Sequence, residues 1–76
     1  MKDYTIKLSS IEDVRNFVNI VTKYPGDIDL SSGRYVVDAK SIMGIFSLDL
    51  INPIKLSIRE EDATAEFEAD IKPYIV

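Results

Sequence analysis

Two serine hydroxyls, Ser10 and Ser41, carry most of the chemistry open to this chain, because its 76 residues include no histidine and no cysteine. Ser41 opens the run Lys40-Ser41-Ile42-Met43-Gly44, where a serine followed by apolar residues reads as the start of a short helix. A phosphate ester there, carrying about −1.5 to −2 charge, would meet the free amides and positive dipole end of a helix rather than melt it. Lys40 beside it stands where it would screen that charge. The ordinary role of a serine at this place is the cap itself. Ser9-Ser10-Ile11-Glu12-Asp13 poses the same choice, since Ser9 with Glu12, or Ser10 with Asp13, has the spacing of a capping box. Glu60-Glu61-Asp62 reads either as a weak hard-cation site or, far more commonly, as the solvated start of a helix. The chain has no glycine-rich phosphate loop, no Ser/His/Asp set and no other metal-ligand constellation.

The elements that must position these residues follow from period and punctuation. Asp3 to Leu8 alternates, with Tyr4, Ile6 and Leu8 on one strand face. Ile11, Val14, Phe17, Val18, Val21 and Tyr24 recur at helical spacing as one apolar stripe, which Pro25-Gly26 terminates. Asp27 to Ser31 and Arg34 to Asp38 are short strands flanking Ser32-Gly33, a two-residue hairpin turn. A second helix runs from Ser41 to about Leu48. Asn52-Pro53 breaks the chain before a strand from Ile54 to Arg59, in which Ile54, Leu56 and Ile58 point inward. A last helix from about Asp62 buries Ala63, Phe67, Ile71 and Tyr74. The order is β-α-β-β-α-β-α, an α+β arrangement of one antiparallel sheet with helices on one face.

Composition sets the outer bounds. One small domain, residues 1–76, is expected at this length, and 46% hydrophobic content suits a folded globule. Without cysteine, neither disulfides nor thiolate–zinc binding is available, so packing alone must hold the core. A net charge of −4 makes nucleic acid an unsuitable partner. No apolar run approaches the roughly 20 residues that span a bilayer, and Met1 to Leu8 lacks the apolar core of a signal peptide. A cytoplasmic, membrane-free protein is expected.

The run Asp38-Ala39-Lys40-Ser41-Ile42-Met43-Gly44-Ile45-Phe46-Ser47-Leu48-Asp49-Leu50, with Lys23-Tyr24 and Asp27-Ile28-Asp29-Leu30 before it, resembles the histidine-containing phosphocarrier (HPr) proteins of the bacterial sugar phosphotransferase system. The resemblance is sharp from about Lys23 to Leu50 and extends over most of the chain in element order. It implies an HPr-like open-faced β-sandwich, a four-stranded antiparallel sheet with three helices on one face. In that family the phosphorylated histidine lies in a Gly-[IL]-His-[AT]-Arg-Pro segment. A gapless alignment back from Lys23-Tyr24 puts Ser10 at the histidine, Glu12 at the arginine and Asp13 at the proline. Phosphocarrier chemistry of the family's kind is therefore excluded: a serine ester is not readily passed on, and the two acids repel a phosphoryl group.

The second family site is kept. Ser41 matches the serine that an HPr kinase/phosphorylase modifies in Gram-positive members, and Ile42, Met43 and Phe46 match side chains on which partners dock. The expected order of exposure is Met43, then Phe46, then Ile42. The resemblance thus implies a module that is not an enzyme, takes no cofactor or metal, and binds proteins in sugar transport or carbon regulation. Its expected partners are an HPr kinase/phosphorylase or a transcriptional regulator, with binding open to modulation at Ser41. The alternatives are an unmodified structural or interaction domain, and a phosphotransferase component with an atypical acceptor such as Ser10. Nothing in the residues sets the oligomeric state.

Overall fold

In the computed structural model, which describes residues 1–76, the chain forms four strands and three α-helices in the expected order. They are β1 (Lys2–Ile6), α1 (Ile11–Val21), β2 (Ile28–Ser32), β3 (Tyr35–Asp38), α2 (Ile42–Phe46), β4 (Ile54–Ile58) and α3 (Ala65–Ile71). The strands pair antiparallel in the order β1-β4-β2-β3, so β4 enters between the two strands that α1 connects. Its alternation explains the central place. Ile54, Leu56 and Ile58 are buried, and the register sets Ile6 opposite Ile54, Leu30 opposite Leu56 and Ile28 opposite Ile58.

The helices cover that inner face with Val14, Phe17 and Val21 of α1, Ile45 of α2, and Phe67 and Ile71 of α3. All 15 buried residues are apolar, and no buried side-chain polar atom lacks a partner. Cohesion therefore rests on apolar burial, at about 25 cal/mol per Å² removed from water. No helix is long and apolar enough to cross a membrane.

The C-terminal layer is fastened at its polar rim. Tyr24 and Tyr4 flank Phe67, Tyr24 edge-on at 5.1 Å between centroids and Tyr4 tilted at 6.2 Å. Their hydroxyls donate to Asp70 and Glu68 respectively. The bond to Asp70, helped by burial, pushes the Tyr24 phenol up to about 12. Lys2 also pairs with Glu68 at 2.8 Å, and these two bonds hold the Glu68 carboxyl below the ordinary carboxylate range.

Three expectations change in detail. The hairpin turn is Gly33-Arg34, not Ser32-Gly33, because Ser32 pairs with Tyr35. Gly33 has φ +60° and no other residue type in the chain has positive φ, so the glycine takes the first central position, the pattern of a type II′ turn. The last helix begins later than Asp62: Thr64 is its cap, accepting from the Phe67 amide at 3.1 Å. Glu60–Asp62 forms a separate 3-10 turn whose acids face Arg59, with Nε 3.1 Å from Asp62 and 3.8 Å from Glu61. Tyr74 likewise lies in a 3-10 turn after α3, half-buried against the core and edge-on to Phe17. Finally, Ile11 leaves the expected stripe. It stands 68% exposed at the first helical position, while Val14, Phe17 and Val21 keep the core face.

Candidate docking face between helices α1 and α2

Ser10 and Ser41 occupy equivalent positions, each the N-cap of its helix. Ser10 Oγ accepts from the Asp13 amide at 3.0 Å, while the Asp13 carboxylate accepts from the Ser9 amide at 3.0 Å. Of the two spacings for a capping box, the chain uses Ser10 with Asp13, although the return bond goes to Ser9 rather than to Ser10. Glu12 and Asp13 both stand in the first turn. They offset the positive end of the helix where an incoming anion would bind. A serine needs an adjacent base to become a nucleophile, and the Ser10 hydroxyl is bonded to the Asp13 amide rather than to its carboxylate.

Ser41 Oγ accepts from the Gly44 amide at 3.3 Å, and α2 starts with no acid in its first turn. Both serines are exposed and both cap backbones are extended, so the caps differ in the acids of the first turn, two after Ser10 and none after Ser41. Gly44 is closely confined: a Cβ there would lie 3.2 Å from Val37 Cβ and 3.3 Å from Ser41 Oγ. The glycine lets α2 press its first turn onto β3. Lys40 is not the screen expected for a Ser41 phosphate. Its ammonium donates to the carbonyls of Tyr24 and Gly26 at 2.7 and 3.0 Å and fastens the loop after α1. Carbonyls left unpaired past a helix end are strong acceptors for such a cation.

The apolar side chains of α2 rank as expected. Met43 is 77% exposed and Phe46 42%, whereas Ile42 is half-buried and packs on the core. The structure does more than expose them. Phe46 lines an open groove of about 500 Å³ together with Leu8, Ile11, Leu50 and Ile51, and Ser9 and Ser10 lie on its rim. The Ser10 cap and Phe46 of α2 thus share one surface feature, while Ser41, Ile42 and Met43 stand outside the groove lining. Lys7 is the groove's only cationic residue, and it is committed to the Leu50 and Ile51 carbonyls. That tether draws the segment after α2 against the end of β1 and leaves the groove without a free cation.

Ile11 and Ile51 are the members of this face that sequence patterning missed. Ile11 fits a core stripe by spacing, and Ile51 lies in the loop before Pro53, where period carries no information. A hydrophobic residue at the first helical position, directly after a cap, was the available signal for Ile11. The face suits contact with another protein: an apolar groove that includes an aromatic ring and the Ser10 cap, with Met43 exposed on the same helix as Phe46.

An open-faced sheet of order β1-β4-β2-β3, with helices on one side and an apolar groove between the start of α1 and the end of α2, defines a small α+β scaffold of known kind. HPr-C-His from Thermoanaerobacter tengcongensis, known from a crystal structure, matches it with a TM-score of 0.78 and 30% sequence identity, over 96% of this chain and 89% of the other. The chain belongs to the HPr family. No protein-family model and no curated protein sequence matches it.

Proposed function

We propose that this chain is a non-catalytic HPr-like module, related to the phosphotransferase system, that docks on proteins through the face around α1 and α2. Ser10, in this reading, stands where the family carries its histidine and acts as a helix cap. The observation that carries the proposal is the pairing of a cap flanked by Glu12 and Asp13 with an apolar surface formed by Ile11, Phe46 and Ile51. A phosphoryl group is disfavoured at this place and a protein side chain is favoured. Ser41, exposed and free of acids in its helix's first turn, is the proposed regulatory phosphorylation site. The proposed partner is an HPr kinase/phosphorylase or a transcriptional regulator in carbon regulation.

Intact mass after incubation with ATP and an HPr kinase/phosphorylase tests the modification, beside Ser41→Ala and a normal HPr as controls. One added phosphate, absent from the variant, is expected. No mass change while the control HPr is modified would leave an unmodified interaction domain.

Met43→Asp tests the surface. With Met43 in solvent the change should stay within about 0.5 kcal/mol of the parent in thermal melting, as surface substitutions do. A drop of several degrees would place Met43 in the core and remove it from the docking face.

A further inference from the structure

The two edges of the sheet are treated differently. The β1 edge is covered by the last residues of the chain: Lys7 N–H donates to the Tyr74 carbonyl at 2.8 Å, Val76 N–H to the Thr5 carbonyl at 3.1 Å, and Ile6 bridges Ile75. The β3 edge has no such cover except at its last residue, where the Asp38 carbonyl accepts from the Ser41 amide at 3.0 Å and the Asp38 carboxylate from the Lys40 amide at 2.8 Å. Tyr35–Asp38 contains no proline and no lysine, and its one charge, Asp38, stands at its end. Tyr35 and Val36 lie largely in solvent, 71 and 65% exposed.

The register shows which backbone groups this edge leaves free. Tyr35 pairs with Ser32 across a two-residue turn, Val37 pairs with Leu30, and Ala39 N–H donates to the Ile28 carbonyl at 2.8 Å. In an antiparallel ladder these alternate residues turn their amides toward β2. Val36 and Asp38 therefore turn theirs outward.

The side chains along this edge are complementary to themselves read backwards. Arg34-Tyr35-Val36-Val37-Asp38, laid antiparallel on a second copy with Val36 opposite Val36, extends the pairing one residue past the strand into the turn and sets Arg34 opposite Asp38 at both ends and Tyr35 opposite Val37 between them. Opposite charges and aromatic–β-branched pairs are the favourable cross-strand combinations. The charges also lack ionic partners within the chain, since the only ion pairs are Lys2–Glu68 and those of Arg59. Asp38 moreover sits directly opposite Asp29 on β2, a like-charge pair that an arginine from outside would relieve.

We propose that β3 is a homodimerisation edge, pairing antiparallel with β3 of a second copy about a two-fold axis at Val36 and joining two sheets into one of eight strands. The two Val36 residues exchange N–H···O=C bonds, and each Asp38 N–H donates to the Arg34 carbonyl of the other copy. A two-fold axis makes every contact occur twice, as an isologous interface requires. The surface is separate from the groove of Ile11, Phe46 and Ile51, so dimerisation leaves that face open.

Sedimentation velocity over a concentration series tests this, with the parent, Arg34→Asp and Asp38→Arg, each checked for folding by circular dichroism. The parent should shift with concentration from 8.6 kDa toward twice that mass. Each variant alone opposes like charges twice and should dimerise about tenfold more weakly. An equimolar mixture of the two variants restores both Arg–Asp pairs and should recover the dimer. Amide exchange of the parent provides a readout without variants: the Val36 and Asp38 amides should slow as concentration rises. A parent that stays monomeric with fast Val36 exchange overturns the proposal. So does a dimer indifferent to both charge reversals, which would point to the apolar groove instead.

Discussion

Replacing Phe67 with alanine is expected to cost about 3–5 kcal/mol, the range for truncating a fully buried aromatic side chain. Phe67 has no exposed surface, and its ring is flanked by Tyr24 and Tyr4. The cavity cannot close easily, because both tyrosines are fixed at their far ends by hydrogen bonds to Asp70 and Glu68. A domain of 76 residues has a total stability of about 4–11 kcal/mol at 0.05–0.15 kcal/mol per residue. The variant should thus lie close to its unfolding midpoint at room temperature. Phe17→Ala, equally buried and edge-on to Tyr74 at 5.7 Å, belongs to the same class. Urea denaturation followed by circular dichroism measures both. A midpoint shift worth less than about 1 kcal/mol for either would mean that its helix does not bury the face described.

The second large effect is expected at Gly26. Its φ of +86° lies in the left-handed region, and a Cβ there would run into the Asp62 carboxylate and come within 3.2 Å of the Arg59 guanidinium. The loop it serves is fastened through its own carbonyl to Lys40. Gly26→Ala should therefore cost about 1–3 kcal/mol, the range for a residue held in an unfavoured backbone region. Gly33→Ala provides the comparison. It also has positive φ, but nothing lies within 4 Å of the added methyl, so only backbone strain applies. Gly26→Ala should be the more destabilised of the two in thermal melts. Equal losses would mean that Asp62 swings aside freely and that the loop is held only by its backbone preference.

The docking face divides into a part that sequence patterning reveals and a part that it hides. Met43 and Phe46 stand three apart on a short helix, and a helix of five residues cannot bury all its apolar side chains, so exposure of some was legible. Ile11 was not, because helical spacing alone places it with Val14 and Val18. Ile51 was hidden in an aperiodic loop. Their meeting with Phe46 depends on Lys7 reaching from the end of β1 to the Leu50 and Ile51 carbonyls, a contact over more than 40 positions of sequence that no local pattern encodes. Lys40 shows the opposite case. Adjacency to Ser41 suggested electrostatic help for a phosphate, and tertiary structure gives its ammonium to carbonyls 14 and 16 residues away.

What this sequence determined by itself was the order of elements, the family and the inward faces of β1 and β4. Alternation of period two admits one buried face, and proline, glycine and serine punctuation limits where each element can begin. The absence of histidine likewise decided, without any coordinates, that no phosphohistidine can form. Tertiary structure alone decided which strand edge stays open and where the apolar groove lies. It also decided whether a given charge is free to act, as Arg34 is and Lys7 and Lys40 are not. Those outcomes depend on which backbone groups already have partners from distant parts of the chain, and that accounting exists only once the chain has closed on itself.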